Sequence, residues 1–196
     1  MLSTDLTQAV GRLLQADPAR IVALISSLRG PDRVIESTVE GMSMGRCLPP
    51  GSRIRIELAN RACHDAGTII AFLVGKKVVV HRVVHRGRGG PAGGLVLTRG
   101  DAPLVPDPPV AHAQILGPVT GVWTGDRWTE PCGVARRSFR ATIVSSFLLL
   151  VATGLLYLSP RTTSTMLALL HRAERAMRIA RTRNVRQREP IPPAAG

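Results

Sequence analysis

Short strand-like runs fill the middle of this 196-residue chain, and helical periodicity occupies both ends. Over residues 4–15, Leu6, Val10, Leu13 and Leu14 recur at helical spacing behind Asp5, which predicts an amphipathic helix. A second short helix is predicted from Pro18 to Leu28, ahead of Gly30-Pro31. Residues 33–40 read as β and lead into Gly41-Met42-Ser43-Met44. Arg53-Ile54-Arg55-Ile56-Glu57-Leu58 alternates strictly, the pattern of a half-buried strand. Residues 67–74 and 78–84 are apolar runs separated by Gly75-Lys76-Lys77, a tight-turn signal. Residues 86–94 hold five glycines and a proline and read as a flexible loop tip. Residues 95–98 and 115–122 complete the set. Short strands at this spacing, with no helices between them, predict a mainly β domain over 33–123. A small, partly open barrel or coiled sheet fits better than a βαβ layout.

The C-terminal third changes character. Residues 124–140 read as a linker. Residues 141–160 carry no charge and match the roughly 20 residues that a helix needs to cross a bilayer, so a transmembrane helix is predicted there. Beyond Pro160, Met166, Leu170, Ala173, Met177 and Ala180 form a stripe at three- and four-residue spacing among arginines. A basic amphipathic helix over 161–188 suits an anionic membrane surface. Residues 189–196, with three prolines, read as a disordered tail, and residues 1–32 as an N-terminal helical segment.

Charge sharpens this reading. The formal net charge is +13, and residues 161–196 supply eight arginines against two glutamates. Such a surplus points to anionic lipid or nucleic acid. Aromatic residues make up only 3% of the chain, so base stacking has few candidates and membrane lipid is the expected partner. The three cysteines, Cys47, Cys63 and Cys132, include no Cys-x-x-Cys pair, which predicts small free thiols rather than a disulfide framework. Cys63-His64 has no partner pair at ligand spacing, so no metal and no cofactor are expected. Residues 1–17 are polar and interrupted by charge, unlike a secretory signal.

The candidate chemistry lies in four residues, each within its own short signature. Ser43 sits in Gly41-Met42-Ser43-Met44, ahead of Leu48-Pro49-Pro50-Gly51. His81 sits in Val78-Val79-Val80-His81-Arg82-Val83-Val84. Asp101 closes Thr98-Arg99-Gly100-Asp101, and Asp107 follows six residues later among Pro106, Pro108 and Pro109. A serine hydroxyl becomes a nucleophile when a base takes its proton, and that base works best when a third group orients it. An imidazole accepts a proton near neutral pH, whereas a lysine must first be buried. Lys76 and Lys77 belong to the expected turn and read as solvated charge. His85 shares the strand parity of His81 and is the runner-up base.

In this order the signatures resemble the LexA/type I signal peptidase superfamily, over about residues 35–122. Gly41-Met42-Ser43-Met44 looks like its nucleophile motif. Most members use a lysine base, in a Lys-Arg-hydrophobic stretch. Here His81-Arg82-Val83-Val84 stands instead, similar to the archaeal and endoplasmic-reticulum signal peptidases and their SipW-like bacterial relatives. Thr98-Arg99-Gly100-Asp101 and Asp107 are similar to the two-aspartate motif of that branch. Gly41 replaces a hydroxyl residue common in signal peptidases, so the resemblance implies an oxyanion hole of backbone N–H groups, those of Ser43 and Met42. Gly45-Arg46-Cys47 replaces the usual acidic-proline stretch, and the expected membrane segment is C-terminal rather than N-terminal.

The resemblance implies a membrane-associated serine endopeptidase acting on a preprotein or prepeptide. Ser43 would be the nucleophile, His81 the base, Asp107 its orienting group and Asp101 a support. Single-pass insertion is expected, and a cytoplasmic form tethered to the membrane is the other topology. Two alternatives stand beside it. One is a LexA-like peptidase that cleaves itself or a cytosolic regulator, although no Ala-Gly pair precedes Ser43. The other is a non-enzymatic basic protein binding lipid or nucleic acid through its tail.

Overall fold

The computed structural model describes residues 23, 27, 30, 33–58, 65–87, 94–133 and 139–186. The helix expected over 4–15, the tail after 188 and Cys63 lie outside the described residues. Of the second expected helix only Ala23 and Ser27 are described, and both are helical.

Eight strands follow in chain order: β1 (Val34–Thr38), β2 (Arg53–Glu57), β3 (Ile69–Val74), β4 (Lys77–Arg86), β5 (Leu95–Arg99), β6 (Val110–Ala111), β7 (Ile115–Trp123) and β8 (Trp128–Thr129). Among the described residues these form one antiparallel sheet in the order β1-β2-β7-β3-β4-β5-β6, with β8 on β7, and it does not close. Strand β7 joins the two halves. Its later residues pair with β2 and its earlier ones with β3, with a register shift in each ladder. The expected linker over 124–140 is in part structured, because Trp128 and Thr129 return onto Trp123 and Val122.

The alternation in β2 buries Ile54 and Ile56 and leaves Arg53 outside. Strand β3 has no such alternation because both of its faces are covered. Ile69, Ala71 and Leu73 join Ile35, Met44, Leu48 and Leu116 in one core. Ile70 and Phe72 join Val83, Val96 and Ile115 in the other. The β3–β4 hairpin turns on two residues, Gly75 and Lys76, with Val74 opposite Lys77. Gly75 takes φ of 59°, a left-handed conformation that a glycine adopts at no steric cost.

Two helices follow, α1 (Phe139–Leu158) and α2 (Pro160–Arg186). Pro160 opens α2 where its missing N–H costs nothing, and Ser159 O accepts the Thr163 N–H. Their inner faces form a third core with the sheet. Ala152 and Leu167, both fully buried, meet Leu97 and Val105 there. The Ser145 hydroxyl receives the Arg99 guanidinium. The segment expected to cross a bilayer over 141–160 is thus docked on the β domain along one face. Among the described residues no helix is long and apolar enough to cross a membrane. The opposite face of α1 exposes Val144, Phe147 and Leu150.

Candidate active site

The serine lies in a tight loop between β1 and β2. Met44 and Leu48 are buried and anchor this loop in the core, while Met42 is exposed. The turns Gly45 N–H to Met42 O and Cys47 N–H to Met44 O fix its course. Apolar size alone does not select the anchors, because Met42 is as large as Met44 yet is left outside. With Met44 and Leu48 drawn inward, Ser43 is left at the rim, half-buried.

His81 is carried by β4, opposite Ile70 of β3, with its ring edge-on to Phe72. Its Nε2 lies 2.8 Å from Ser43 Oγ and its Nδ1 2.5 Å from Asp107 Oδ2. An ionised carboxylate only accepts, so Nδ1 carries the proton and Nε2 is left to accept from the serine hydroxyl. The side chains of His81 and Asp107 are only 10% and 14% exposed, which limits competition from water. Asp107 is seated from the β5 side. Its N–H bonds Thr98 O at 2.7 Å, and the Thr98 hydroxyl donates to Oδ2 at 2.7 Å.

Asp101 occupies a different position. Its carboxylate takes two hydrogen bonds from Arg82, at 2.9 and 2.8 Å. Arg82 also donates to Gly67 O, Cys132 O and Gly133 O. Asp101 therefore locks the neighbour of His81, and the carboxylate that meets the His81 ring is that of Asp107. The loop between the two aspartates also touches the serine loop: Ala102 N–H donates to Ser43 O at 2.8 Å. A Cβ at Gly100 would stand 2.5 Å from Ser43 O, so only glycine allows this approach.

Lys76 and Lys77 lie at the exposed hairpin, as the sequence suggests. A bulge between Val83 and His85 interrupts the β4–β5 ladder, so strand parity alone does not place His85 on the side of His81. The Met42 and Ser43 N–H groups, the expected oxyanion donors, make no turn hydrogen bond among the described residues.

The free-thiol reading of the cysteines is corrected. Cys47 and Cys132 form a disulfide with Cα atoms 5.6 Å apart, tying the serine loop to the segment after β8. A separation of 85 residues hides this pairing from spacing arguments. The two sulfurs and Asp101 lie within 4.8 Å of one another. Joined sulfurs offer no thiolate, however, and Arg82 Nη2 approaches both Cys47 Sγ and Asp101. A cation has no place there in the oxidised protein.

Two depressions meet at Ser43. One, of about 330 Å³, is bounded by Met42, His81, Ala102 and Pro103 on the sheet side and by His171 and Glu174 of α2 on the other. The second, of about 680 Å³, is a trough between β1 and the first half of β4. Among the described residues β1 is the sheet edge, and β4 pairs with β5 only from Arg82 onward. Along the trough, among the described residues, no further strand pairs with the outer edge of β1 or with residues 77–81 of β4 on the β5 side. Sequence reasoning assigned no role to Thr98, Arg82, His171 or Glu174. Thr98 and Arg82 at least stand in the signatures, whereas nothing in the helical stripe marks His171 or Glu174. No protein-family model and no curated protein sequence matches this chain.

Proposed function

We propose that this chain is a serine endopeptidase of signal peptidase type, acting on a preprotein or prepeptide. The observation that carries this reading is the hydrogen-bonded series Ser43 Oγ, His81 Nε2, His81 Nδ1 and Asp107 Oδ2. Each group stands within hydrogen-bond reach of the next, and the carboxylate fixes the tautomer that the chemistry needs. Ser43 Oγ attacks the scissile carbonyl as His81 takes its proton. The negative charge that develops on the carbonyl oxygen is met by the Ser43 and Met42 N–H groups. Imidazolium then protonates the leaving amine, and water, activated by the same imidazole, releases the acyl group from Ser43.

The trough beside Ser43 supports a polypeptide substrate. The trough runs alongside β1 and the first half of β4, and an extended chain lying in it can align with strand backbone while its side chains alternate into the depression. The partly open barrel of the superfamily is consistent with the unclosed sheet. The Cys47–Cys132 disulfide favours an oxidising compartment for the β domain. The outward apolar residues of α1 and the arginine surplus favour attachment to an anionic membrane.

The test is cleavage itself. Ser43→Ala and His81→Ala should each reduce turnover by about four to six orders of magnitude while the protein stays folded. Comparison of protein N-termini in cells carrying active or Ser43→Ala protein should reveal the substrates. Cleavage that survives His81→Ala overturns the assignment of the base.

A further inference from the structure

We propose that helix α2 belongs to the catalytic unit, with His171 as a positioning residue that holds Asp107 toward His81. This rests on the peptidase reading given above. Asp107 lies in the connection from β5 to β6, where Pro103, Pro106, Pro108 and Pro109 have no N–H to offer. Such a segment has few backbone bonds with which to hold itself, and α2 supplies the missing ties. Glu174 accepts the Leu104 N–H at 2.9 Å and the Val105 N–H at 3.4 Å. His171 Nε2 lies 2.9 Å from Pro106 O, so that nitrogen carries its proton. The same atom lies 3.6 Å from Asp107 Oδ1.

The two oxygens of Asp107 thus face different elements. Oδ2 takes His81 and Thr98, both from the sheet. Oδ1 faces His171, from the helix. A carboxylate held at one oxygen can still swing about its Cβ–Cγ bond, and a positive edge at the other oxygen opposes that swing. His171 and Glu174 are three residues apart and share one face of α2, so one rigid element grips four successive residues, Leu104 to Asp107. His171 touches no reacting atom. It acts through Asp107, and misplacement of an orienting group by about 1 Å costs roughly 100-fold in rate.

Leu167, fully buried, anchors α2 independently of His171, so variants at 171 should keep the helix docked. The experiment compares His171→Leu with His171→Gln in the full chain, since the Gln amide returns an N–H donor near the position of Nε2. Two readouts apply. One is the maximal rate at which a fluorophosphonate probe modifies Ser43, separated from probe affinity. The other is the low-field proton resonance of the His81 Nδ1–H, assigned by its loss in His81→Gln.

His171→Leu should slow modification about 10- to 100-fold at unchanged probe affinity and shift or broaden the resonance. His171→Gln should return the rate to within about threefold of the parent and restore the resonance. A Leu variant matching the parent in both readouts overturns the proposal. So does a Gln variant no better than the Leu variant. If the parent shows the resonance and its dependence on His171, yet cleaves no peptide and resists the probe, the positioning role stands and the peptidase reading falls.

Discussion

Asp107 Oδ2 receives two donors, the His81 ring and the Thr98 hydroxyl, and the second has no access to solvent because Thr98 is fully buried. Thr98→Val keeps the shape and removes that donor. A hydrogen bond to a charged group contributes about 1.5–3 kcal/mol, so turnover should fall roughly tenfold or more with little change in KM. Thr98→Ser should recover most of it, and equal rates for Val and Ser would exclude the hydroxyl. Gly100→Ala probes the contact beneath Ser43. The new Cβ has to displace the Ser43 carbonyl or Pro103, at a cost of about 1–3 kcal/mol in stability by overpacking. Because Ser43 itself moves, turnover should fall further than thermal stability accounts for. Unchanged turnover at lowered Tm would separate Gly100 from the site. At this scale Ser43, His81 and Asp107 were legible because each sits in a short run whose neighbours restrict its place. His171 was not, because it reaches Asp107 from 64 residues away along the chain and its helix carries no signature.

Among the elements, alternation and apolar runs located the strands well, since each reports which faces of a strand are covered. Gly75 located the turn for the same physical reason, its left-handed backbone. The β8 return was hidden because a two-residue strand has no period to read. The disulfide was hidden because spacing carries no information on pairs this distant. Its loss is measurable at this scale. Closing 85 residues of chain is worth about 4.6 kcal/mol by loop entropy. Cys47→Ser with Cys132→Ser should therefore lower Tm by roughly 10 °C in a domain of this size. Addition of a reductant to the parent should reproduce the shift, while Cys63→Ser should leave it in place. Activity should fall as well, because the carbonyls of Cys132 and Gly133 hold Arg82 beside His81. A variant as stable and as fast as the parent would show that the covalent tie is dispensable.

For the molecule as a whole, the helical hairpin performs two tasks on opposite faces. Inward, Leu167 and Ala152 seal the third core, and His171 and Glu174 grip the aspartate loop. Outward, α1 exposes Phe147 at 63% and Leu150 at 70%, large apolar side chains that a water-facing helix does not need. The sequence showed that residues 141–160 are uncharged but not that one face is already occupied, since periodicity disappears when both faces are apolar. A helix docked on one face and greasy on the other suits the interface of a bilayer better than its interior. Arginines near an anionic surface each add about 1 kcal/mol of attraction, and that contribution is screened by salt. The full chain should therefore co-float with vesicles containing anionic phospholipid and much less with neutral ones. Raising salt should weaken the association without abolishing it, the residue being the apolar face. Phe147→Glu with Leu150→Glu should remove that residue, since both side chains point outward, and leave Tm within a few degrees of the parent. Vesicle binding that ignores both lipid charge and these two substitutions would remove the membrane from the proposed function and leave the peptidase site unaffected.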